Sequence, residues 1–82
     1  MSHHKLIIFP LNELKPGMKA RIVKITGQGG VRKRMVDMGM TPGTVVEVER
    51  VAPLGDPIAI RVKRYRLMLR KAEASRIAVQ LL

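Results

Sequence analysis

The sequence predicts a mainly β fold: a small barrel of about five strands with one short inserted helix. Three observations carry that prediction. Turn signals recur at Lys15-Pro16-Gly17, Gly27-Gln28-Gly29-Gly30, Thr41-Pro42-Gly43 and Pro53-Leu54-Gly55-Asp56-Pro57. Most segments between them alternate apolar and polar residues with a period of two. One segment, Gly30 to Met38, instead places Val31, Met35 and Met38 at i, i+4 and i+7, a helical stripe. A chain of 82 residues holds one small domain, and 46% hydrophobic residues with 2% aromatic predict a thin aliphatic core. The domain is expected to cover residues 10–82, with 1–9 as a tail or short extension.

Taken in order, Leu11-Asn12-Glu13-Leu14 suits one helical turn capped by Asn12. The two X-Pro-Gly turns place Pro second and Gly third, where a type II turn needs φ > 0. Met18 to Ile25 reads as a strand with Met18, Ala20 and Ile22 on one face. Val23 and Ile25 switch face, which predicts a bulge or a strand buried on both sides. Gly30 to Met38 is the helix, with Gly39 as its left-handed stop and Pro42 preventing resumption. Thr44 to Val51 puts Val46 and Val48 inward and Glu47 and Glu49 outward. Ile58, Ile60 and Val62 alternate with Ala59, Arg61 and Lys63; Tyr65, Leu67 and Leu69 alternate with Arg66, Met68 and Arg70. Lys71 to Ala74 gives a short helical turn before a last strand carrying Ile77, Val79 and Leu81. This arrangement fits a small SH3-like barrel, closed or nearly closed to hide its edges.

Composition removes several function classes. Cysteine is absent, which excludes disulfides, a thiol nucleophile and Cys-ligated metal centres. No run of ~18 apolar residues could span a bilayer as a helix, and the N-terminus is too short for a signal-peptide core; the expected location is the cytoplasm. Sixteen Lys and Arg against six Asp and Glu give a net charge of +10, which attracts polyanions or an acidic protein face. With one Phe and one Tyr, the chain has no platform for stacking single-stranded bases. No nucleophile–base pair exists for an enzyme.

The remaining motifs are weak. Gly27 to Gly30 lacks the Gly at position 32 of a dinucleotide fingerprint and the Gly-Lys-Ser/Thr of a P-loop, so it reads as a flexible joint. The basic helix with its following Gly resembles half a helix-turn-helix, but a strand follows it. His3 and His4 are the only imidazoles and sit at the chain end. Glu47 and Glu49, ~7 Å apart on one strand face, could hold an adventitious divalent cation weakly; no resident cofactor is expected. The methionines suit packing or protein contact better than ferrous iron, because thioethers are soft ligands. Arg32, Lys33 and Arg34 fall together in the first turn of the expected helix, where cations oppose its dipole. Arg61, Lys63, Arg66 and Arg70 gather on one outer surface. That surface is either a solvated edge guarded by charge or a docking face for acidic groups.

Pro10 to Gly17, Arg32 to Met40, Thr41 to Thr44, Ala52 to Ile58 and Leu67 to Ala74, in this order and spacing, resemble the ferrous iron transport protein A (FeoA) family over Pro10 to Val79. The resemblance implies an SH3-like barrel acting as a small cytosolic accessory of ferrous iron uptake. Its implied partner is the membrane ferrous iron permease, through the permease's cytosolic GTP-binding domain. No small-molecule substrate is expected. Two positions depart from the family pattern: Arg64 stands where relatives often have Gly, which predicts a strained positive φ at Arg64, and Met68 stands where a small polar residue is common. The residues expected to carry partner binding are Arg32, Lys33, Arg34, Met38 and Met40, with the Pro53, Leu54, Gly55, Asp56 loop beside them. Arg61, Lys63, Arg66 and Arg70 form a secondary basic surface. Met40, beyond the helix end, is expected to be the accessible apolar contact. The alternative is a basic SH3-like domain that contacts nucleic-acid backbone or serves metal-dependent regulation.

Overall fold

The computed structural model describes residues 7–27 and 29–82; His3, His4 and Gln28 lie outside them. Six strands form one antiparallel sheet: β1 (Ile8–Pro10), β2 (Lys19–Ile25), β3 (Val45–Val51), β4 (Ile58–Val62), β5 (Tyr65–Leu69) and β6 (Ile77–Leu81). Their order is β1-β6-β2-β3-β4-β5, so β1 and β5 end the sheet. A 3-10 turn, Leu11–Glu13, follows β1; α1 (Gly30–Asp37) is inserted between β2 and β3, and α2 (Lys71–Ala74) precedes β6. Strand alternation places most of the core as expected; Tyr65 and Leu81, at strand ends, share the inward alternation but are exposed. Ala20, Ile22, Val46, Val48, Ile58, Ile60, Val62, Leu69, Ile77 and Val79 are buried, while the intervening charged residues face out.

Several expectations need correction. Two residues of the expected N-terminal extension, Ile8 and Phe9, join Pro10 in a strand: the three pair with Gln80, Val79 and Ala78. Three residues ending in Pro carry too little alternation to show in sequence, and the pairing with β6 is what defines them. Asn12 is inside the 3-10 turn rather than its cap; Pro10 occupies the cap position. Met18 precedes β2 instead of opening it and is half-buried.

Other details hold. The face switch in β2 is a bulge between Ile22 and Lys24, and β3 has a second between Val48 and Arg50. Bulges increase local twist and let a sheet curl around a single core. Gly17 (φ +91) and Gly43 (φ +94) supply the left-handed turn residues. In the two-residue β4–β5 hairpin, however, the positive φ belongs to Lys63 (φ +54) and not to Arg64. A positive φ at only the first central residue is the pattern of a type II′ turn, which matches the twist of the flanking strands.

Candidate functional site

α1 is polar around most of its circumference, and Met35 is its one buried side chain. The helix ends in a Schellman motif: the Gly39 N–H donates to the Val36 carbonyl (2.9 Å) and the Met40 N–H to the Met35 carbonyl (3.0 Å), with Gly39 at φ +86. That return carries the chain inward. Met40 is 0% exposed and belongs to the core, so the accessible contact expected there is not available. Met38 is half-buried and packs against the same core. Two further ties fix the helix. The Tyr65 hydroxyl on β5 donates to the Met38 carbonyl, and the Arg34 guanidinium pairs with Glu73 of α2. Arg34 therefore does not oppose the dipole as expected: in an eight-residue helix it lies in the last turn, where a cation is favourable. Arg32 and Lys33 remain exposed, without a carboxylate partner among the described residues.

The loop from Pro53 to Asp56 is held from both ends. Gly55 (φ +84) donates to the Ala52 carbonyl (2.7 Å), and the Asp56 carboxylate accepts the Lys71 N–H (3.0 Å). Asp56 thus anchors the loop to α2, which leaves Leu54 93% exposed at the tip. α2 is pinned in turn by the Glu73 carboxylate, which accepts the Arg70 N–H (2.9 Å).

On the outer face of the sheet, register sets Lys19, Glu47, Arg61 and Arg66 in one row across four strands. Arg61 and Arg66 are directly opposed like charges, and Glu49 resolves the conflict. Its carboxylate accepts from Arg61 (3.0 Å) through one oxygen and from Arg66 Nε (2.9 Å) through the other. The basic surface is therefore partly neutralised, and Glu49 is engaged by arginines rather than free for a cation. Among the described residues no three His, Asp or Glu side chains converge to hold a metal ion.

The structure joins parts of the two expected surfaces. Arg34 of α1, Pro57 at the loop end, and Met68, Arg70 and Glu73 line one hollow. A second hollow on the other side of Met68 is lined by Glu49, Arg50, Ala59 and Arg66. Lys63 lies apart, in a depression shared with Lys19, Glu47 and Arg61. Sequence reasoning passed over Arg50, and it noted Met68 as an outward departure from the family pattern without counting it among the contact residues. The available signal was Met68 itself, an apolar side chain at an outward position of an edge strand, which is 60% exposed.

The FeoA domain family model matches residues 9–81. A Porphyromonas gingivalis Fe(2+) transport protein A/Fe(2+) transporter FeoB fusion protein is 40% identical over 72 residues, covering 88% of this chain and 8% of that protein. This chain therefore corresponds to a small part of that relative's length. The solution structure of an FeoA-like protein from Clostridium acetobutylicum superposes with a TM-score of 0.84 at 41% identity, covering 92% of this chain and 87% of that one. The zinc complex of Stenotrophomonas maltophilia FeoA, described as a prokaryotic SH3 domain protein, gives a TM-score of 0.76 at 26% identity, covering 85% and 87%. The family match runs from within β1 to the end of β6 and takes in β5, α1 and the loop before β4, so this folded unit, an SH3-like sheet with an inserted helix, belongs to the FeoA domain family.

Proposed function

We propose that this chain is a non-enzymatic accessory module of ferrous iron uptake that docks on the cytosolic GTP-binding part of the iron permease. The observation that carries this reading is the fusion relative, in which a domain 40% identical to this chain shares one polypeptide with the Fe(2+) transporter. Physical joining in one protein supports association between separate ones. The reading requires no resident cofactor and places the module in the cytoplasm. Arg32 and Lys33, exposed and unpaired on α1, supply electrostatic steering toward an acidic partner face, with Leu54 as an exposed apolar residue on the neighbouring loop.

The test is binding of the intact chain to the permease's isolated cytosolic domain by calorimetry and stopped-flow. We expect a one-to-one complex that persists as salt is raised. Reversing Arg32 and Lys33 to Glu should slow association more than it speeds dissociation. The competing reading, contact with nucleic-acid backbone, draws on the same unpaired cations. It would prevail if duplex DNA of any sequence bound more tightly than the permease domain and the affinity fell steeply with salt.

A further inference from the structure

We infer that β5 accepts an extended, carboxylate-bearing segment of the partner as a seventh strand, seated across Met68 between four arginines. This inference rests on the docking reading above and names the surface and the chemistry of the contact. β5 is the last strand of the sheet and pairs on one side only, with β4. Val62 and Tyr65 flank the two-residue turn and so exchange both ladder hydrogen bonds. Alternation then gives the same inward pairing to Leu67 and Leu69. Arg66 and Met68 fall at the other positions, where the backbone N–H and C=O point away from β4. Among the described residues no loop or helix backbone supplies partners for these groups. An added strand would.

The side chains around that edge say what the strand carries. Met68 stands as a ridge between two hollows. Arg34 and Arg70 border one, and Arg50 and Arg66 border the other. Ala59, opposite both Arg50 and Met68 in the register, is small and keeps the second hollow open. The two carboxylates present, Glu49 and Glu73, are already in ion pairs that orient Arg66 and Arg34. Arg66 uses its Nε in that pair, leaving its terminal amino groups for a visitor, and Arg50 and Arg70 have no carboxylate partner among the described residues. A desolvated apolar contact inside a ring of cations complements an acidic strand with one apolar residue at its centre. Charge on an edge strand also deters unwanted pairing, and a carboxylate-bearing segment is the occupant that this charge admits.

The experiment combines hydrogen exchange and charge reversal on the intact chain with the permease's cytosolic domain as probe. In the free chain the Arg66 and Met68 amides should exchange quickly, and in the complex they should slow by roughly tenfold or more, as ladder donors do. The Arg50→Glu/Arg70→Glu variant alters two unpaired side chains and leaves the fold intact; it should bind roughly tenfold more weakly. Met68→Ala should weaken binding by a similar factor. If the unmodified chain binds but the Arg66 and Met68 amides stay unprotected, or if the reversed variant binds as well as the parent, this inference is overturned while the docking reading stands. If the unmodified chain does not bind at all, both are overturned.

Discussion

The sheet and the inserted helix bury their residues by opposite means. In β3 and β4, alternation turns Val46, Val48, Ile60 and Val62 into one core, and each strand is braced by a neighbour on both sides. Each such side chain contributes roughly 1.5–3 kcal/mol of burial, so losing one weakens the sheet without erasing it. α1 buries Met35 alone and otherwise hangs on its C-terminal turn, the Tyr65 hydroxyl and the Glu73 carboxylate. Distributed support makes the sheet a platform. Localised support leaves α1 with an exposed basic face, and it makes a few residues at the helix end decisive for where that face sits.

The strongest test of this contrast is Met40. It is fully buried, where the Schellman turn delivers it. Met40→Asp would bury an unpaired carboxylate at a cost of several kcal/mol, comparable with the whole stability of a small domain. We expect it to abolish the cooperative thermal transition, and Met40→Ala to cost ~2–4 kcal/mol. Val36→Asp, on the exposed side of the same helix, should stay within about 0.5 kcal/mol. Equal melting of the Met40 and Val36 aspartate variants would mean that the helix end is not an anchor.

Gly39 gives the next largest effect. Its φ of +86 disfavours any side chain, and a Cβ there would run into the Tyr65 hydroxyl. Gly39→Ala should lose ~1–2 kcal/mol from backbone strain alone, with the collision adding to it. In a Tyr65→Phe background, which loses about 1 kcal/mol from the hydrogen bond to Met38, the collision disappears. The alanine penalty should therefore be smaller there than in the parent. A double-mutant cycle of denaturation midpoints reads this coupling directly; additive losses would place the hydroxyl away from the turn.

The same contrast explains what the sequence could disclose. The strands after residue 18 were legible because a period of two forces side chains to opposite faces, and the bulge in β2 was visible as a break in that period. α1 was legible as a helix from Met35 and from Gly39. The fate of Met40 was not, because position alone does not say whether a chain leaving a helix turns inward or outward; the paired Met40 and Gly39 hydrogen bonds decide it. β1 was hidden because Ile8 and Phe9 acquire strand geometry from β6, far along the chain. The surface around Met68 was hidden for a related reason. Arg34, Arg50 and Arg66 come from three separate elements and Arg70 from the link between β5 and α2, and only the register and the turn of α1 bring them to one edge.

The smallest effect lies back in the sheet, at a turn where local chemistry works against geometry. The β4–β5 turn needs a left-handed residue, and Lys63 occupies that position at φ +54. An L-residue there costs about 1 kcal/mol relative to glycine, offset in part by the greater freedom of glycine in the unfolded chain. Lys63→Gly should therefore raise the melting temperature by a few degrees, since about 1 kcal/mol corresponds to roughly 4–8 °C in a domain of this size. Arg64→Gly should not raise it: Arg64 has an ordinary φ, so glycine there adds unfolded-state entropy and relieves nothing. The pair of melts locates the strained residue. A higher melting temperature for Arg64→Gly together with a lower one for Lys63→Gly would shift the left-handed position by one residue, and with it the register that sets Arg66 and Met68 on the open edge of β5.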